Sequence, residues 1–459
     1  MSDDHTSAKN ELRRSFSFRV IAAAAGTLAT FLLTIIVVRT LNATDSAAFF
    51  AILAALSIGS IVGRLGLGPN IVRLLPSEPD LQKRRAIAGT HLKATILLTA
   101  PTAPVVALCA CLGLIGHPNF VPALLLTAAI LMAETVRLML SDIFAAFGRV
   151  KASVATMHYV RSVMIVPVVG LAAVAYEQPT LLTLLSAYAA VSVVHLVIAL
   201  WIGRDDYSLS AAKGFAAVRA AVNSGAKLFS LDLAAFTMVA GSIWLANAAF
   251  APETATIYSA AATIAMQVTI LEALAALAVA PPAARLWAAG RKQEVVRLLS
   301  NMATVNAAVI LVVVIVLGFV AGSALELAYG PEMRSGGVLL VILACGGVFQ
   351  GAFGVNIALL IIAGRINEVS RTALLVLVVV LPCSIAAAFL GGAMALAIVS
   401  SSGVALLSVC EWLTARRYLD EAPRPHLHLV RALRDVVSEA TASAPELPPE
   451  MPEREPVRD

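Results

Sequence analysis

Ionisable side chains inside long apolar runs are the residues with chemistry to explain, because each costs about 2.5–3.5 kcal/mol to place at mid-bilayer. In the first half of the chain they are Lys93, Glu134, Arg137, Asp142 and Arg161, with Arg19 near the inner end of its run. Glu134 and Arg137 stand three apart, so on a helix they share a face and partly neutralise each other. Glu134 can compensate only one arginine, which leaves a cationic excess. A guanidinium fork matches phosphate oxygens, and partial dehydration strengthens the attraction. Arg137 and Arg161 are therefore candidate contacts for an anionic ligand, with Lys93, Glu134 and Arg19 beside them. The alternative for Arg161 is snorkelling to the inner interface. Lys93 and Asp142 each lie about 9–10 Å along their helices from the inner end, so antiparallel neighbours would let them pair.

The second half differs. Asp232 and Glu272 fall in its first two apolar runs, with no Lys or Arg between 228 and 284. Carboxylates in hydrocarbon are protonated or hold a cation, which is the chemistry of a coupling site for Na+ or H+. Asn247, Gln267, Gln350 and Asn356 could supply neutral oxygens. A protonated acid bonded to a neighbouring helix is an equal alternative. His91, His158 and His195 are scattered singly and take no role. Cys109, Cys111, Cys345, Cys383 and Cys410 lie in apolar runs and read as buried free thiols, with no disulfide, metal or other cofactor. No Ser-His-Asp set or Gly-rich nucleotide loop appears and the outer connections are short, so an enzyme is not expected.

The elements that carry these residues follow from composition. With 59% hydrophobic and 13% charged residues and a mean hydropathy of +0.88, the chain reads as an all-α integral membrane protein. Ala, Leu and Val dominate, and the short alternating segments of transmembrane strands are missing. About twelve spans divide into a cytoplasmic N-terminal segment (1–17), a six-helix bundle (18–202), a cytoplasmic linker (203–226), a second six-helix bundle (227–415) and a tail (416–459). The fifth span is expected at 153–175 and the last at 392–415. The N-terminal run reads as a signal anchor that is retained. Cations gather on one set of connections, leaving only Arg39 and Arg334 on the other, which places both termini in the cytoplasm. The net charge of +5 is thus a topology signal rather than a nucleic-acid patch. Within the linker, Lys213–Arg219 reads as a short amphipathic interface helix, as does the start of the tail, whose Pro/Glu-rich end reads as disordered. Pro101, Pro104 and Pro167 are candidate kinks, and Gly346, Gly347, Gly351 and Gly354 suggest close helix contact.

An apolar hairpin at Phe18–Pro76 reappears in altered form at Phe229–Pro282, with Leu41–Phe49 matching Phe250–Tyr258 after a shift of 209. Paired halves of this kind are a common build of secondary transporters, with the cargo between them.

That loop, the segment Arg64-Leu-Gly-Leu-Gly-Pro-Asn-Ile-Val-Arg73, the connection from Pro282 to Lys292, Tyr329-Gly-Pro-Glu-Met333 and the run ending at Arg365 carry a resemblance over roughly 18–415. They resemble the polysaccharide exporter branch of the multidrug/oligosaccharidyl-lipid/polysaccharide flippase superfamily. Asn42-Ala43-Thr44 departs from the Gly-Pro-Glu usual there, and Ala47 from a common Gly. The resemblance implies a MATE-like alternating-access fold with two six-helix bundles. It implies a flippase that moves a polyprenyl-pyrophosphate-linked oligosaccharide across the bacterial cytoplasmic (inner) membrane for O-antigen, capsule or exopolysaccharide biosynthesis, driven by an ion gradient. Its partners would be that membrane lipid and the polymerase and glycosyltransferases of the same pathway, not nucleic acid. A multidrug/cation antiporter of the same superfamily is the alternative, although acidic residues should then dominate the first half. A membrane polysaccharide polymerase or ligase ranks lower.

Overall fold

The computed structural model describes residues 2–210, 214–268, 279, 282–419 and 421–442, with backbone alone at 2–20, 77, 227–228, 230–232, 235–236, 239 and 436–442. Helix α1 (Ser2–Thr40) turns through two residues into α2 (Ala43–Arg64). Asn42 caps the turn, its Oδ1 accepting from the Asp45 amide at 2.8 Å. This satisfies one of the orphan donors at a helix start, so the departure from Gly-Pro-Glu costs the hairpin nothing structurally. The first bundle continues with α3 (Leu67–Leu74), α4 (Leu81–Ala110), α5 (Phe120–Ala146), α6 (Val150–Ala155), α7 (His158–Ala175) and α8 (Leu181–Gly203).

The second hairpin is α9 (Phe215–Ala249) and α10 (Pro252–Val268). Its helix end and helix start each fall 209 positions after their counterparts Thr40 and Ala43, so the weak sequence repeat is a structural one. Phe49 and Tyr258, the matched aromatics, are both fully buried. Then come α11 (Lys292–Tyr329), α12 (Gly336–Phe353), α13 (Val355–Ile362), α14 (Ile366–Ala386), α15 (Gly392–Tyr418) and α16 (Leu429–Ala442). Nine segments among the described residues are long and apolar enough to cross a membrane. The last of them, Ile366–Tyr418, folds back on itself as α14 and α15, bringing the Thr372 and Thr414 hydroxyls to 2.9 Å.

The surface is that of a protein solvated by lipid. Val174, Phe319 and Leu390 are more than four-fifths exposed, as a bilayer-facing belt requires. Cys109, Cys345 and Cys383 belong to this exposed surface, so burial as the ground for their inertness holds for Cys111 and not for them. As the glycine pattern suggested, a Cβ on Gly346 would stand 2.8 Å from the Ser401 carbonyl oxygen. One expectation at the end of an element is corrected, and one helix runs longer than its apolar run. Residues 215–219 are the first turn of α9 rather than a separate interface helix, and α1 runs back through the expected polar segment to Ser2. In each case helix propagation from an adjoining span costs less than starting a new element.

The two hairpins pack against each other. Phe50, Ala54 and Ile58 of α2 share one core with Ala240, Ile243 and Tyr258. Trp244 Nε1 donates to the Ala51 carbonyl at 2.8 Å, and Thr256 Oγ1 to that of Ala43 at 2.9 Å. The bundles also meet near both ends. At the end bearing most cations, Asn70 Nδ2 donates to Ser224 Oγ at 2.7 Å. Beside it Gly66, at φ 73, lies so close to α9 that a Cβ there would be 2.0 Å from the Gly225 oxygen. At the other end Arg39 reaches α11, and Thr34 Oγ1 lies 2.8 Å from the Tyr329 hydroxyl.

Candidate functional site

The expected fifth span is two helices, because the chain leaves helical geometry between α6 and α7 at Thr156–Met157. Lipid offers no partner for the carbonyls freed by such a break, so protein must supply them. His195 Nε2 on α8 lies 2.9 Å from the Ala155 oxygen, and Arg137 Nη1 on α5 donates to that of Thr156. The other terminal nitrogen of Arg137 donates to Glu134, one turn earlier on α5. Arg161, in the first turn of α7, reaches the same carboxylate oxygen with Nη1 at 2.7 Å. Its guanidinium lies 5.5 Å from the centre of the Tyr188 ring, a cation–π distance. Helix α1 closes on the start of α7, where a Cβ on Gly26 would stand 2.6 Å from Tyr159 Cα.

One carboxylate thus holds two guanidiniums, and the trio carries a net positive charge. Glu134 and Arg137 are buried; Arg161 retains 15% side-chain exposure and is the most open of the three. Arg137, expected as a ligand contact, is engaged here by protein groups. The broken span and Glu134 occupy both of its terminal nitrogens, and no part of its side chain is exposed. It ties Glu134 to the broken span.

The Lys93–Asp142 pairing is also overturned. Asp142 accepts from Arg64 Nη1 at 2.7 Å, and Gly68 makes room for it, since a Cβ there would be 2.1 Å from Asp142 Oδ2. Lys93 sits on the exposed face of α4 with Leu97 and Leu108, apart from the Glu134 cluster. Equal depth along two helices had suggested the pair; azimuth about α4 prevents it. Arg19 is described in backbone only.

Of the expected coupling residues, Asp232 is described in backbone only and Glu272 lies outside the described residues. Asn247 bonds to Ile243 O and to Ser259 Oγ, whereas Gln267 bonds to Thr263 O. The eight residues from Ser259 to Gln267 span about 12 Å of helix, so the two amides do not share a site. The amide nitrogen of Asn356 donates to the Phe353 and Pro423 carbonyls, and its oxygen is buried with no hydrogen-bond partner among the described residues. Gln350 instead lines a cavity of about 150 Å³ inside the second bundle, together with Ser400, Ser401, Ser408 and the buried Glu411. Glu411 was missed in the sequence because it stands five residues before Arg416 and reads as part of the charged helix end. Among the described residues no group of three or more His, Cys, Asp or Glu could hold a metal.

No family model matches the sequence, and no curated protein matches it either. By structure the chain is similar to a mutant of the Vibrio cholerae MATE transporter VcmN, at 17% identity over 90% of this chain and 98% of that one, with a TM-score of 0.59. It is similar to the eukaryotic MATE transporter AtDTX14, at 13% identity over 94% and 100% of the two chains, with a TM-score of 0.61. It is also similar to the lipid II flippase MurJ in an inward closed conformation, at 10% identity over 94% and 91%, with a TM-score of 0.66. At such identities what is shared is the fold, an all-α MATE-like transporter architecture.

Proposed function

We propose that this protein carries an anionic lipid headgroup across a membrane by alternating access between its two bundles. The cargo in this reading is a polyprenyl-pyrophosphate-linked oligosaccharide, moved from the inner to the outer leaflet of a bacterial cytoplasmic membrane for polysaccharide assembly, with both termini in the cytoplasm. The observation that carries the reading is the charge imbalance in the first bundle. Two guanidiniums share Glu134, and Arg161 is the partly open one. A pyrophosphate oxygen arriving there meets a cation that Glu134 only half neutralises, in a setting of low dielectric where that attraction is strong. That a lipid II flippase shares the fold supports a lipid-linked cargo. Coupling to Na+ or H+ is assigned to the second bundle, where Glu411 adds a described carboxylate to the expected Asp232 and Glu272.

The test uses proteoliposomes containing a polyprenyl-pyrophosphate with a fluorescent disaccharide, read by a membrane-impermeant quencher. Wild-type protein should flip the lipid faster than empty vesicles, and faster still under a Na+ or H+ gradient. Arg161→Ala should slow flipping roughly tenfold or more at unchanged protein level, and Arg161→Lys should restore part of it. Wild-type vesicles no faster than empty ones would sink the reading. The second reading, a multidrug or cation antiporter, is favoured by the buried acids Glu134 and Glu411 and by the MATE likenesses. Efflux of a cationic dye from the same vesicles, with no lipid flipping, would select it.

A further inference from the structure

The segment after α15 returns to the cationic end of the molecule and straps across it. The Pro423 carbonyl accepts from Asn356 of α13 at 3.2 Å. The Arg424 amide donates to Ser300 Oγ at 3.3 Å and the His426 amide to Thr304 Oγ1 at 3.0 Å, both on α11. Helix α16 is then fixed by Asp435, which accepts from Arg297 at 3.1 Å and from Asn301 at 3.3 Å. Between His426 and Asp435 the anchors move only about two turns along α11, less than the chain between them could span, so the strap crosses α11 obliquely. The crossing lies just beyond Val309, Leu311 and Val312, where the exposed apolar belt of α11 begins. That is the level of the lipid headgroups.

Ala432, fully buried, and Asp435 turn toward α11, and among the described residues the opposite side of the first two turns of α16 is exposed. There Val430 is 85% exposed and Leu433 49%, with Leu427 at 100% in the turn before. On the helix Arg434 and Arg431 follow Val430 on one side while Leu433 stands on the other, and Arg424 and His428 lie on the approach. Apolar and cationic side chains on one outward arc of a helix, held at headgroup height, are the makings of an interfacial helix.

We infer that α16 and the strap before it bind an anionic lipid surface, with Leu427, Val430 and Leu433 entering the acyl boundary and Arg431 and Arg434 meeting lipid phosphates. The occupant is lipid rather than a second copy, because the arc is cationic and would repel itself, and because its height matches the headgroups.

Amide hydrogen exchange of residues 424–442 tests this with full-length protein in nanodiscs of phosphatidylcholine alone or with phosphatidylglycerol. Exchange should slow by about fivefold or more when the anionic lipid is present, since each arginine near such a surface contributes about that factor. Val430→Glu with Leu433→Glu should abolish the slowing while the α11 contacts of Asp435 persist. Arg431→Gln with Arg434→Gln should remove the difference between the two lipids and keep the protection common to both. Equal exchange in both nanodiscs and in detergent overturns the inference, as does protection that follows protein concentration and ignores lipid.

Discussion

Arg39 of α1 donates from Nε to the Ala328 carbonyl oxygen at 2.7 Å, and its Nη2 reaches that of Leu327 at 2.6 Å. These are among the last carbonyls of α11, left without intrahelical partners and at the negative end of its dipole. One of the two arginines on the sparsely cationic side of the molecule therefore ties the first bundle to the second. The other, Arg334, pairs with Glu326 at 3.0 Å within the second bundle.

In the alternating-access reading proposed above, Arg39 must release α11 when that end of the molecule opens. Arg39→Gln should therefore favour the open form, by about 1 kcal/mol or a fivefold change in population, because the contact is charged but exposed. Electron–electron distance measurements between spin labels at His117 and Glu332, exposed on opposite bundles, should show a larger long-distance fraction. An unchanged distance distribution would remove the latch role from Arg39.

Glu134 is the residue on which the first bundle's interior depends. Glu134→Gln leaves two guanidiniums to share a neutral amide in a buried site, and should cost about 3–5 kcal/mol. Thermal denaturation of the detergent-solubilised protein and its yield from membranes would read this. Arg161→Ala should cost much less, since the Glu134–Arg137 ion pair remains. Equal losses from both substitutions would show that Arg161 is structural rather than poised for cargo.

The hairpin repeat was legible because both copies close through equally short connections, so their helix ends keep a constant offset. Glu134 and Arg137 were legible because a three-residue spacing fixes a shared helix face. Arg161 joining Glu134 could not be read this way, since it depends on how α7 lies against α5. The break at Thr156–Met157 carries no Gly or Pro, and its only trace is the pair of polar residues Thr156 and His158 on either side of Met157 within an apolar span. Three prolines that do signal bends, Pro101, Pro104 and Pro167, lie inside helices that continue through them. Lys93 shows the limit most plainly: sequence gives height along a helix with some accuracy, but says little about which way a residue faces when both sides of the helix are apolar.

Asp435 gives the strap a pH dependence whose sign follows from its surroundings. The hydrogen bond from Arg297 holds its carboxyl below the usual aspartate range, assisted by the charge of Arg297 and by Asn301. A lowered value in the docked state means that the contribution is fully present above the ordinary aspartate pKa, near 4, and is lost as pH falls through the lowered value. Exchange of residues 424–442, corrected for intrinsic rates, should therefore be flat between pH 8 and pH 5 and rise only below about pH 4. Asp435→Asn at pH 7 should mimic the acid state, but weakly, by roughly two- to fivefold, because the pair is exposed to solvent. A midpoint above pH 5, where the carboxylate is ionised whether docked or not, would mean that another group holds the strap in place.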